Sequence, residues 1–190
     1  MTHWAHSSHW SVLALVVASA VLASCRPKPA GFGVEPREKE GAMKLTSSAF
    51  AHGGQIPPVH TCDGANTSPP LEIAGVPQGA KSLALVMDDP DAPMGTFDHW
   101  IVWNIPPDTA AVPAGKEPQG VPGRNGFGKT GYGGPCPPSG THRYRFKLYA
   151  LDATLDLPQG SSKRALERAM EGHILAQALL EGKYSRRAGR

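Results

Sequence analysis

The sequence predicts a mainly β domain with few helices, and three observations lead to that expectation. Gly and Pro number 22 and 19 among the 190 residues, clustered between short apolar runs, a pattern of many turns and few long helices. Two of those runs, KSLALVM at 81–87 and FDHWIVWNI at 97–105, have the length and composition of strands. A third segment, RYRFKLYAL at 143–151, places Tyr144, Phe146, Leu148 and Ala150 on one face and Arg143, Arg145 and Lys147 on the other. That alternation is the signature of a strand with one solvated face. The length suits a single domain with a real core, and no repeat of 20–50 residues is present. A net charge of +3 is too small to call for nucleic acid.

In chain order, residues 12–23 are apolar except for Ser19. The run is too short for a membrane span, which needs roughly 17–25 residues, and suits the apolar region of a secretory signal. It closes on Leu22-Ala23-Ser24-Cys25, which resembles a bacterial lipobox. The chain is then cut before Cys25 and its thiol becomes the lipid attachment point; the alternative is an ordinary signal peptide ending by chance at a cysteine. No Lys or Arg precedes the run, so positive charge there comes only from the α-amino group and His3, His6 and His9. Residues 1–24 are therefore expected to be a lipoprotein signal peptide. Residues 25–42, rich in Pro, Gly and charge, read as a flexible tether, and 43–190 as the folded domain. The expected location is the cell envelope, lipid-anchored at the periplasmic face or the outer membrane.

Within the domain, residues 44–50 (KLTSSAF) read as a first strand and 53–70 as polar turns. The strand at 81–87 closes on Asp88-Asp89-Pro90, where the proline ends it. Residues 106–141 read as loop, of a length that is uncommon unless functional. Residues 163–171 are helical, with Ser161 or Ser162 as N-cap. The periodicity of 174–184 is ambiguous, and propensity favours helix. With Cys25 lipidated, Cys62 and Cys136 remain. They form either a disulfide, as an oxidising compartment permits, or two separate small thiols.

Three segments concentrate chemistry: Asp89-Pro90-Asp91-Ala92-Pro93, Asp98-His99-Trp100, and Gly134 to Tyr144 (GPCPPSGTHRY). Each lies at a strand end beside a loop stiffened by proline, which fixes side-chain directions without a flexible lid. The histidine and aspartate spacings match no known metal motif, and there is neither a G-x-S-x-G elbow nor a phosphate-cradling loop. Ser139 lacks the surroundings of a nucleophile. The residues thus give catalysis, metal or cofactor no support.

Taken together, DPDAP (89–93), HWIVWNIP (99–106) and GPCPPSGTHRYRFKLYAL (134–151) resemble the phosphatidylethanolamine-binding protein family, and within it the bacterial Raf-kinase-inhibitor-like branch. TCDG (61–64), SPP (68–70) and FGKTGYGG (127–134) extend the resemblance over residues 45–186. It implies two packed antiparallel sheets with a few peripheral helices, and a strand rather than a helix at 174–184. It also implies a pocket for a small phosphate-type anion or phospholipid head group. Carried over, the pocket uses Asp89, His99, Pro138, His142 and Tyr144, with Gly134 and Pro137 shaping its wall and Asp91–Arg143 as a structural ion pair beneath it. The imidazoles and the phenol would donate hydrogen bonds to anion oxygens, and Asp89 would orient a histidine or meet a ligand ammonium. Asp98 stands where many eukaryotic relatives carry a second histidine, which changes the local charge and argues against kinase-related ligands. The resemblance also allows a homodimer. Two rival readings are a protein-interaction module inhibiting a kinase or protease, and a phosphoester hydrolase.

Overall fold

The computed structural model describes residues 42–186; the signal segment, Cys25 and the tether up to residue 41 lie outside the described residues. Eight strands run in chain order: β1 Lys44–Thr46, β2 Leu71–Ala74, β3 Ser82–Asp89, β4 Phe97–Ile105, β5 Ala111–Val112, β6 Val121–Pro122, β7 His142–Leu151 and β8 Ile174–Tyr184. One α-helix, α1 Lys163–Met170, and one 3-10 turn, Pro58–His60, complete the described elements. The strands form an antiparallel three-stranded sheet, β1-β2-β5, and an antiparallel five-stranded sheet, β6-β4-β3-β7-β8.

The five-stranded sheet is covered on both faces. On one side Leu83, Leu85, Trp100, Val102, Phe146 and Leu148 meet Leu45, Leu71, Ile73 and Val112 of the smaller sheet. On the other, Ala84, Val86, Ile101 and Trp103 pack under Leu166 and Met170 of α1. This explains why β3 reads as an unbroken apolar run: all eight of its residues are buried, as expected for a central strand with no solvated face. The helix starts at Ser162, whose hydroxyl accepts from the Ala165 amide at 3.3 Å, satisfying one of the orphan donors of the first turn.

One ambiguity resolves and two sequence expectations change. The segment 174–184 is a strand, as the family resemblance implies and against its helix propensity, because β8 pairs with β7 along its length and tertiary pairing outweighs helix propensity. The loop at 106–141 contains β5 and β6, each of two residues, and β2 lies just beyond the turn segment ending at Pro70. On the polar face of β7 Arg143 is exposed, but Arg145, Lys147 and Tyr149 are half-buried rather than solvated. Arg145 and Lys147 there reach Asp88, which is fully buried, at 2.9 and 2.6 Å, and Lys163 of α1 joins them at 3.0 Å. Three cations around one carboxylate compensate its loss of water; burial raises its pKa, but hydrogen bonds and charge from Lys147 and Lys163 hold it below the usual range.

One irregularity positions the site. Met87 pairs with Trp100 but Asp88 pairs with Asp98, so β4 carries an extra residue, His99. Such a bulge re-aims a side chain. Here the His99 ring comes within 5.2 Å of Tyr144, edge-on, on the side of the inter-sheet core. Asp98 faces α1 instead, 3.4 Å from Lys163.

Candidate functional site

At the end of the inter-sheet core β3 ends, and β4 and β7 begin, beside the loops 90–96, 125–131 and 134–141. A cleft of about 200 Å³ opens there, lined by Asp89, Phe97, His99, Phe127, Pro138 and His142, with Ala92, Pro93 and Cys136 at its margins. Of the residues expected from sequence, Asp89, His99, Pro138 and His142 come together. Phe97 and Phe127 are walls that sequence reasoning missed. Their rings pack at 4.8 Å on each other and at 5.1 and 5.5 Å on His99. Phe97 opens a strand already recognised, whereas nothing in the Gly-rich loop around Phe127 signals its place.

The hydrogen bonds of the two histidines decide what the cleft can do. His142 Nδ1 lies 2.7 Å from Asp89 Oδ2, and His99 Nδ1 lies 2.6 Å from the Gly133 carbonyl. Carboxylate and carbonyl oxygens only accept, so both Nδ1 atoms carry the proton and donate. Asp89 is fixed in turn by the Asp91 amide, which donates to its Oδ1 at 2.8 Å. Among the described residues neither Nε2 has a hydrogen-bond partner, and neither is sealed from solvent. In a neutral imidazole with Nδ1 protonated, Nε2 is an acceptor; it becomes a donor only in the imidazolium. Burial pushes the His99 pKa down, with the Gly133 carbonyl and Asp89 acting against it. His99 is therefore a neutral acceptor at pH 7 until something stabilises its charge.

Tyr144 occupies a different place from the one the sequence implies. It is fully buried beneath the cleft rather than in its wall, and its hydroxyl has no hydrogen-bond partner. Burial and the nearby Asp89 carboxylate raise its pKa, so the phenol stays protonated. Pro137 is buried behind the cleft, and Gly134 lines a neighbouring one. A Cβ on Gly134 would collide with the Asn66 side chain and the His60 carbonyl, which makes glycine the residue that fits there. The Asp91–Arg143 pair is not beneath the pocket. Its bonds, at 2.9 and 2.6 Å, lie at the rim, with the side chains 29% and 49% exposed. Arg143 lowers the Asp91 pKa to about 2. Asp98, turned to α1, contributes nothing to the lining.

Cys62 and Cys136 are joined in a disulfide, with Cα atoms 5.4 Å apart. It clasps the 3-10 turn region to the 134–138 loop. The Cys62 amide donates to the Pro135 carbonyl at 3.1 Å, the Gly134 amide to Asn66 Oδ1 at 2.8 Å and the Tyr132 hydroxyl to the His60 carbonyl at 2.6 Å. The cleft thus has a fixed wall before any ligand arrives. Among the described residues no three His, Cys, Asp or Glu side chains are grouped to hold a metal ion.

Comparison with known proteins agrees with this architecture. The family model described as phosphatidylethanolamine-binding protein matches residues 46–185. A UPF0098 protein of Pyrococcus horikoshii is 44% identical over 187 residues, covering 93% of this chain and 90% of that protein. One from Methanothermobacter thermautotrophicus is 55% identical over 150 residues, covering 76% and 99%. Among solved structures, a phosphatidylethanolamine-binding protein homologue of Chlamydia trachomatis superposes with a TM-score of 0.75 at 44% identity, covering 77% of this chain and 99% of that one. E. coli YbcL does so with a TM-score of 0.71 at 36% identity, covering 76% and 99%.

Proposed function

The chain belongs to the phosphatidylethanolamine-binding protein family, and on that premise we propose that its histidine cleft binds a phosphate-type anion or phospholipid head group without turning it over. The observation that carries this reading is the convergence of His99 and His142, each with its Nδ1 committed, on one small, preformed cleft. Because both Nδ1 atoms are committed, an anion is bound through protonated Nε2 atoms. The imidazolium forms then meet anion oxygens by charge-assisted bonds, and Asp89 supports the charge on His142.

The test is calorimetry with glycerophosphoethanolamine, a diester whose phosphate stays singly ionised near neutral pH. His142→Asn keeps an amide donor where Nδ1 meets Asp89, and His99→Asn does the same toward Gly133, so each removes Nε2 while sparing the inner hydrogen bond. Each variant should lose roughly ten- to a hundredfold in affinity, the worth of a hydrogen bond to a charged group, about 1.5–3 kcal/mol. Unchanged affinity in both folded variants would place the anion elsewhere. A hydrolase reading draws on the Asp89–His142 pair, which has the form of an oriented general base. The binding reading expects no released glycerol or phosphoethanolamine in the same samples, and steady turnover that disappears in His142→Asn would replace it.

The proposal extends to location: export and lipid attachment through Cys25 to the envelope, where the oxidising milieu suits a disulfide. Cys25→Ala should shift the protein from the membrane fraction to the soluble exported fraction. A wild-type protein recovered soluble, with its amino terminus elsewhere than at Cys25, would refute the anchor.

A further inference from the structure

Beside the histidine cleft lies a second cleft of about 230 Å³, and the two share Phe127 and Cys136 as a common wall. Its chemistry differs from its neighbour's: the histidine cleft is lined by two imidazoles and the Asp89 carboxylate, whereas the second presents side-chain donors that no described residue engages. Asn66 uses Oδ1 to hold the Gly134 amide at 2.8 Å, leaving its Nδ2. Among the described residues the Lys129 ammonium has no ion-pair partner and the Thr130 hydroxyl no hydrogen bond, and both line the cleft. No carboxylate is part of the lining. Two carboxylates close by accept hydrogen bonds from other groups: Glu117 from Trp100 Nε1 and the Tyr132 amide, Asp63 from Tyr184 and Arg186.

The donors are presented from fixed backbone. Asn125, 6% exposed, accepts from the Phe127 and Lys129 amides at 3.0 and 3.2 Å and donates to the Gly131 carbonyl at 3.0 Å. This shapes the loop that carries Phe127, Lys129 and Thr130. On the other side Asn66 holds a left-handed conformation, φ 56°, which asparagine tolerates better than most residues.

We propose that this second cleft is a subsite for an anionic, acceptor-rich substituent carried by the same ligand. The protein then prefers phosphodiesters whose second arm bears a carboxylate or comparable anion. The proposal rests on the reading of the histidine cleft as the phosphate site.

The test compares glycerophosphoserine with glycerophosphoethanolamine on the purified full chain at pH 6.5; the two ligands differ by one carboxylate. Glycerophosphoserine should bind roughly three- to tenfold more tightly, between the worth of an exposed ion pair and that of a charge-assisted bond in a cleft. Lys129→Ala should bring the ratio of the two affinities to about one, Lys129→Arg should retain it, and high salt should shrink it in the wild type. Equal affinities in the wild type, or a preference that survives Lys129→Ala, overturn the subsite alone. No binding of either ligand overturns the reading of the histidine cleft and the subsite with it.

Discussion

Reducing the Cys62–Cys136 disulfide, or replacing both cysteines with serine, should lower the stability of the domain by about 4 kcal/mol. The bridge spans a sequence separation of 74, and closing a loop of that length removes about 4 kcal/mol of conformational entropy from the unfolded chain in the loop-entropy account. The native side should change little, because the bonds of Cys62 to Pro135, Gly134 to Asn66 and Tyr132 to His60 hold the same two segments without the covalent link. For a domain of this size the loss corresponds to a fall in Tm of about 10–15 °C. Thermal unfolding with and without reductant reads it directly, and a shift of less than about 3 °C would mean that the clasp adds little to what the hydrogen bonds already hold. Because Cys136 borders both clefts, the reduced protein should also bind anions more weakly once the wall is free to move.

Anion affinity should rise steeply as pH falls from about 8 to about 6. Each Nε2 that contacts the anion must first take up a proton. An unperturbed histidine, titrating near 6.5, contributes roughly 25-fold over that window. His99, pushed lower by burial, contributes more, because the protonated fraction at both ends is smaller and scales almost fully with proton concentration. The groups facing the pair are Asp89 from β3, the neutral Tyr144 phenol from β7, and the Asp91–Arg143 pair at the rim. None of the facing carboxylates needs to change charge between pH 6 and 8 for the effect to appear. The ligand-free fold moves the other way. With its folded pKa depressed, His99 favours the unfolded chain progressively as pH drops through about 6.5, and a bound anion should reverse that loss. The lowered pKa values of Asp88 and Asp91 add stability that is present above about pH 4. It is lost as the pH falls through their folded values, about 2 for Asp91, well outside the window. Titrations of glycerophosphoethanolamine at several pH values would show the rise, and a flat profile would mean that the imidazoles do not hold the anion as cations.

How much of this was legible in the sequence depends on whether a residue's role is local. β3, β4 and β7 could be read because their apolar runs record burial directly, and Ser162 because capping is a local interaction. β8 could not be read from its own residues: its leucines, alanines, Gln177, Glu181 and Lys183 suit a helix, and the strand that the pairing with β7 makes followed only from the family resemblance. In the site, Asp89, His99, Pro138 and His142 belong to recognisable segments, and their convergence followed from the family resemblance. Three features depend on contacts that no segment encodes alone. The bulge at His99 exists only relative to β3. Phe127 reaches the cleft because Asn125 folds its loop. The alternation along β7 already puts Tyr144 on the core face and Arg143 on the other, but that Tyr144 lies beneath the cleft rather than in its wall depends on the residues that line it. The commitment of both Nδ1 atoms is likewise invisible in sequence, and it changes the chemistry from neutral donation to proton-coupled binding.

The account therefore turns on protons, and calorimetry in buffers of differing ionisation enthalpy counts them. At pH 7.5 binding of glycerophosphoethanolamine to the wild-type protein should take up protons, because burial keeps His99 neutral until the anion arrives, and His99→Asn should lower their number. Measurable binding with no proton uptake would contradict proton-coupled binding, because the anion would then be held without any histidine becoming a cation.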